Sequence, residues 1–180
     1  MDFVKEWPRP NVIQIAVFAV CVIMFWIYIL TREDGFIWII DNFNLLMHEG
    51  GHFIFSPFGH TMHFLGGTLL QLLLPVGFCV SFWQTNQPAG FAFSGLLLGE
   101  NFLNVARYVS DARDMALPLV GGGEHDWNTL LGGTFLLRHC RLLGGALCLL
   151  GWVVMVSFAA WYVLLFFRDS GEASDKLIEE

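Results

Sequence analysis

The chain has 180 residues, of which 56% are hydrophobic, 16% aromatic and only 14% charged. Soluble domains carry about 25% charged residues, so this composition, with a mean hydropathy of +0.60, excludes an ordinary water-soluble fold and predicts a protein that crosses a membrane several times. The net charge of −7 and the lack of a basic patch exclude nucleic-acid binding.

Apolar runs separated by polar turns predict an all-α fold, a polytopic membrane helix bundle with about five transmembrane segments. The first run, residues 11–30, has about the length that a bilayer requires. It is longer than the apolar core of a signal peptide, so we interpret it as a retained anchor helix. A glycine-rich connection, residues 111–141, precedes the last run. The other runs cover residues 36–55, 64–84, 89–110 and 142–167.

We expect one integral membrane domain over residues 1–168 and an acidic disordered tail over residues 169–180. The tail contains five acidic residues and one lysine, a composition that cannot build an apolar core. In the rest of the chain, lysine and arginine are more frequent on the side of the predicted bundle that holds the N-terminus. The positive-inside rule therefore predicts a cytoplasmic N-terminus.

Residues 48–52 read HEGGH, an HExxH motif inside the second apolar run. His48 and His52 are one helical turn apart, so both imidazoles can bind the same zinc ion. Glu49 lies between them and is placed to act as general base on a zinc-bound water. Because three such groups within one turn of a membrane helix are difficult to explain as packing, the motif predicts a zinc-dependent hydrolase.

A catalytic zinc site normally has a third protein ligand, and the sequence leaves several alternatives open. His125 or Asp126 is preferred, because the pair follows three glycines in the connection predicted to lie near the metal site. Asp111, at the end of the fourth run, is the reserve candidate. His60 and His63 follow a helix-breaking proline and would have to fold back towards the metal.

The segment around His125 also has a purely structural interpretation. Asp126 would then cap a short helix beginning at Trp127, with His125 in the turn. The three glycines before them, residues 121–123, form either a plain flexible turn or a stretch of bare backbone that binds an extended substrate.

Polar residues recur at helical spacing on two of the predicted helices. We expect these stripes to face one another, because polar groups at membrane depth normally face a bundle interior or a wet cavity. In a structural interpretation Arg107 pairs with Glu100 or Asp111. In a functional one, Asn44, Asn104 and Arg107 bind substrate or stabilise an oxyanion. The stripes consist of Asp41, Asn44, His48 and His52, and of Glu100, Asn104, Arg107 and Asp111.

HEGGH and four later stretches together resemble the site-2-protease family of intramembrane zinc metallopeptidases, and more narrowly its small bacterial members without a PDZ domain. The resemblance implies a bacterial inner-membrane protein in which His48, His52 and a carboxylate from a later helix hold zinc, with Glu49 as the base. The Asp-Gly pair that supplies this carboxylate in the family is absent after HEGGH. The four stretches are FSPFG at 55–59, LGGTLLQLLLP at 65–75, SDAR at 110–113 and GGGEHDWNTLL at 121–131.

The sequence therefore predicts a membrane-embedded zinc metalloendopeptidase that hydrolyses peptide bonds of transmembrane or juxtamembrane substrates. Its cofactor would be Zn²⁺, and its partners a membrane-protein or peptide substrate and the lipid bilayer. The alternative is a non-catalytic metal-binding membrane scaffold or an inactive relative of such a protease. A third interpretation is a metal or proton transporter, against which the almost entirely apolar first and last runs argue. Its relay would consist of Asp41, His48, Glu100 and Asp111.

Overall fold

The computed structural model describes residues 6–31, 38–119 and 123–168, and within these ranges it contains helices and no strand. The predicted all-α fold is thus confirmed. The predicted acidic tail, residues 169–180, lies outside the described residues. The helices are α1 (Val12–Thr31), α2 (Trp38–Phe55), α3 (His60–Gln84), α4 (Pro88–Asp111), α5 (Asp126–Leu131) and α6 (Cys140–Phe167), with two short 3₁₀ helices at Ser56–Phe58 and Phe135–His139.

Three of these helical segments are long and apolar enough to cross a membrane: α1, α3, and α6 together with the 3₁₀ turn before it. This supports a membrane location, but the predicted number of about five spans is not confirmed. Helices α2 and α4 fall outside the set because they carry the two polar stripes, which lower their mean hydropathy. The polar residues that predict a site are therefore also the reason why α2 and α4 are less hydrophobic than the other three long helices.

The most extensive helix pair is α4 and α6, and glycines allow their backbones to approach closely. A Cβ atom on Gly99 would lie 2.6 Å from the carbonyl oxygen of Gly151, so neither position tolerates a side chain without a shift of the backbone. Small residues serve the same purpose in other membrane helix pairs. Helix α1 packs on the outside of this pair through the buried side chains of Phe18 and Val22.

Helix α2 packs against the first half of α3, and a glycine of the HEGGH motif makes this possible. A Cβ on Gly51 would overlap the backbone of Gly66, whereas one on Gly50 would make an ordinary contact, 3.6 Å from Leu70. Of the two adjacent glycines, only Gly51 therefore leaves no room for a side chain. Gly51 fixes the distance between α2 and α3, and with it the place of the motif in the bundle.

Helix α3 begins four residues earlier than the sequence predicts, at His60 instead of residue 64. Gly59 ends the preceding 3₁₀ helix with a φ of 101°, a conformation that glycine adopts without strain. The backbone N–H of His63 then donates to the carbonyl of Gly59, at 2.9 Å, so helical hydrogen bonding resumes at once. His60 and His63 consequently lie on the first turn of a helix.

Candidate metal centre

The two histidines of HEGGH lie side by side on α2, as their spacing requires. Their ring centroids are 4.7 Å apart, and His48 is buried, with only 8% of its surface exposed. Its ring occupies the space that a side chain on Gly67 of α3 would fill, since a Cβ there would lie 2.7 Å from His48 Nε2. The lack of a side chain at Gly67 thus provides the space in which this imidazole packs against α3.

Asp126, the first residue of α5, completes a cluster with these histidines. Its Oδ2 lies 2.7 Å from Nε2 of His48 and 3.3 Å from Nε2 of His52. One candidate ligand atom from each residue falls within 4.8 Å of the other two. Ligand atoms bonded at about 2.1 Å to a tetrahedral zinc are separated by roughly 3.4 Å, and two imidazoles with one carboxylate are a known catalytic donor set. The residues therefore fit a divalent metal ion.

The carboxylate of Asp126 is suited to bind a cation. Burial by itself would raise the pKa of Asp126, but hydrogen bonds from His48 and His52 outweigh it and lower the pKa to about 2. A ligand must be deprotonated before it binds metal. Asp126 meets this condition at neutral pH.

The remaining histidine contacts in the cluster involve His63. His52 donates from Nδ1 to the carbonyl oxygen of His63, at 2.7 Å, and His63 donates from Nδ1 to the carbonyl oxygen of His52, at 3.2 Å. Such a bond fixes the tautomer and leaves Nε2 of His52 available to a metal. His63 supports a ligand instead of being one, and the exposed His60 lies outside the cluster.

His125 and Asp126 have separate roles, and the predicted capping role of Asp126 is wrong. The cap of α5 is His125, whose Nδ1 accepts a hydrogen bond from the backbone N–H of Asn128 at 3.2 Å. Since the neighbouring residue caps the helix, the carboxylate of Asp126 is left to face the histidines. His125 Nε2 points to Asp111 instead, at 3.4 Å, so neither of these alternative third ligands joins the cluster.

Glu49 is exposed and lines the same cavity as His48, His52 and Asp126. The cavity has a volume of about 530 Å³ and combines these polar groups with apolar side chains. A carboxylate beside the cluster and open to the cavity can accept a proton from a water bound there. The apolar part of the wall is formed by Leu45, Phe64, Val105, Leu117, Pro118 and Leu119.

The two polar stripes face one another, as predicted, and side-chain hydrogen bonds join them directly. The side-chain amide of Asn44 donates to Glu100 at 3.0 Å, and that of Asn104 donates to Asp41 and accepts from Gln71. Asn104 also lines the cavity, whereas Asn44 does not. The predicted substrate role thus has less support for Asn44, whose amide is turned away from the cavity.

Arg107 is exposed and lines the cavity. In the described part of the chain no ion pair joins it to Glu100 or Asp111, so the predicted structural pairing of this arginine is wrong. Its position leaves it available to a molecule in the cavity.

Tyr108 belongs to the site but was not singled out by the sequence. Its hydroxyl accepts a hydrogen bond from the backbone N–H of Asp126, at 3.1 Å. A signal was present, because Tyr108 follows Asn104 by one helical turn and so continues the polar stripe of α4.

The chain matches no protein-family model, no curated protein and no solved structure.

Proposed function

We propose that this protein is a membrane-embedded zinc metalloendopeptidase that cleaves transmembrane or juxtamembrane peptide segments. One observation carries the proposal. His48 and His52 of the HExxH motif meet the carboxylate of Asp126, a residue 78 positions after His48, with their ligand atoms within 4.8 Å of one another. Glu49, the acidic residue of the motif, lines the cavity beside them.

Two imidazoles and a carboxylate leave a tetrahedral ion with a fourth position for water or substrate, which is typical of a catalytic site and not of a structural one. A zinc ion held there would acidify a bound water and polarise the carbonyl of the peptide bond. Glu49 would accept the proton of that water and pass it to the leaving amine. Arg107 and Asn104, which also line the cavity, would orient the substrate.

The membrane context supports a substrate that is itself a membrane segment. The three apolar helices and the partly apolar cavity wall suit a peptide of low polarity. On the family resemblance and the distribution of lysine and arginine we place the protein in a bacterial inner membrane, with its N-terminus in the cytoplasm.

The decisive variant is Glu49→Gln, which keeps the size of the side chain and removes the base. In the zinc-loaded protein, reconstituted in liposomes with a library of membrane-protein segments, we expect cleavage to fall by a factor of about 100 or more. The zinc content should stay unchanged. Asp114→Asn is the matched control, since this carboxylate lies outside the cavity in an exposed ion pair with Arg141 and should leave cleavage intact.

Two results would contradict the proposal. Undiminished cleavage by Glu49→Gln would remove Glu49 from the mechanism. Tight zinc binding by the unaltered protein without cleavage of any segment would instead favour the metal-binding scaffold.

A further inference from the structure

Tyr108 contacts both the first and the last ligand of the proposed metal site. Its hydroxyl accepts from the backbone N–H of Asp126 at 3.1 Å. The edge of its ring meets the ring of His48, with centroids 5.7 Å apart at 74°. It therefore connects α4 to the histidine helix and to the segment that supplies the carboxylate.

His125, the cap of α5, also packs against the Tyr108 ring. The two centroids are 4.3 Å apart and the rings are inclined by 34°. His125 is itself fixed, because it is only 3% exposed, accepts from the N–H of Asn128 and lies 3.4 Å from Asp111. The tyrosine ring thus contacts two histidines, and its hydroxyl has a defined position.

Helix α5 depends on such outside contacts, because it has only six residues. Isolated helices of this length do not persist in water, and their first backbone N–H groups lack partners within the helix. The hydroxyl of Tyr108 satisfies one of these groups, on the same residue whose carboxylate faces the histidines. A second attachment, from the Asn128 side chain to the carbonyl of Ala112 at 2.8 Å, holds the far side of the turn.

We propose that Tyr108 is a positioning residue for the third metal ligand: its hydroxyl sets the place of Asp126 relative to His48 and His52. The inference rests on the proposed metal site, though not on the cleavage of any peptide. Glu100 and Asn104 of α4 hydrogen-bond to α2, whereas Tyr108 would serve the metal site. Outer-shell partners of this kind typically change metal affinity by about 10–100-fold when they are lost.

The test is Tyr108→Phe, which keeps the ring contacts with the two histidines and removes only the hydroxyl. Zinc affinity is measured on the full chain in detergent by competition with a chelator of known affinity. We expect the Kd for zinc to rise about 10–100-fold, while saturating zinc still loads one ion. The control is Tyr162→Phe, a tyrosine that is 1% exposed, packs on Phe18 and does not line the cavity; its Kd should match that of the unaltered protein.

Thermal unfolding of both metal-free variants separates positioning from general stability. A lower melting temperature of metal-free Tyr108→Phe with an unchanged zinc Kd would overturn the inference, since the role would then be structural. An equal loss of affinity in Tyr162→Phe would overturn it as well. If the unaltered protein binds zinc but cleaves nothing, the proposed function fails while this inference stands; if it binds no zinc, both fail.

Discussion

Single residues in the EHDW stretch show how closely adjacent side chains can differ in role. His125 and Asp126 are neighbours of similar polarity, yet one caps α5 and contacts Asp111, while the other faces the HExxH histidines. Because His125 accepts from the backbone N–H of Asn128, the side chain of Asp126 does not cap the helix and its carboxylate faces the histidines instead. Helix-end geometry therefore decides which of the two side chains joins the cluster with His48 and His52.

Asp126→Ala should abolish tight zinc binding. The variant leaves two imidazoles, which are fewer ligands than a stable zinc site requires, so the loss should exceed the roughly 10–100-fold effect of an outer-shell partner. Glu124→Gln is the matched control, because Glu124 lies two residues away, lines the same cavity and is outside the cluster. Zinc content after chromatography measures both; an Asp126→Ala protein that keeps its zinc would exclude this carboxylate as a ligand.

The sequence predicted the HEGGH half of this cluster directly and narrowed the other half to His125 or Asp126, of which the structure brings Asp126 to the histidines. His48, Glu49 and His52 share one helical turn, so their spacing alone predicts a common face. Asp126 is the first residue of a six-residue helix. It is 78 residues away from His48 in the sequence, and no helical periodicity relates positions so far apart. The sequence alone does not distinguish Tyr108 from a packing residue, which is the ordinary role of an aromatic side chain in an apolar helix bundle.

At the scale of helices, the contact between α2 and α3 determines the geometry of the site. Gly51 brings the two backbones together, and Gly67 makes room for the ring of His48. The sequence does not reveal this function of Gly67, since a glycine gives no indication of which side chain packs against it. The early start of α3 was missed for a similar reason: Pro57 signals a helix end, whereas the positive φ of Gly59 allows a new helix immediately.

Gly67→Ala tests directly whether the position of His48 depends on the space beside Gly67. The added methyl group would lie within 2.8 Å of three atoms of the His48 ring, so the imidazole must move and zinc affinity should drop by about tenfold or more. Gly77→Ala in the same helix is the control, because a Cβ there meets nothing within 4 Å. It should keep zinc affinity and gain up to about 1 kcal/mol of helix stability. Equal zinc affinity in the two variants would show that His48 does not depend on this contact.

For the whole molecule, the division between apolar and polar helices is the main architectural fact. Helices α1, α3 and α6 are apolar enough to cross a membrane, whereas α2 and α4 carry polar side chains that hydrogen-bond to one another. Hydrophobic runs in the sequence located all five long helices to within a few residues. The predicted number of about five spans is not confirmed, because α2 and α4 carry polar residues and have the length of a membrane helix without its hydropathy.

Cys21 offers a test of the membrane placement of α1. This cysteine is exposed and lies near the middle of Val12–Thr31, roughly 15 Å from either edge of the hydrocarbon if the helix spans it. In intact membrane vesicles a charged maleimide should not label it, because the charged reagent stays in water and does not enter the hydrocarbon. A cysteine introduced by Arg113→Cys, in the exposed segment after α4, should be labelled in permeabilised vesicles and serves as the control.

Peptide-level mass spectrometry distinguishes the two sites in one sample. After denaturation in SDS, Cys21 should react as fully as the introduced cysteine, which shows that its protection came from the bilayer and not from an altered thiol. Rapid labelling of Cys21 in intact vesicles would mean that α1 lies in water. The aromatic contacts of Phe18 with Phe93 and Tyr162 would then attach α1 to the bundle without a membrane around it, and the anchor-helix interpretation would fail.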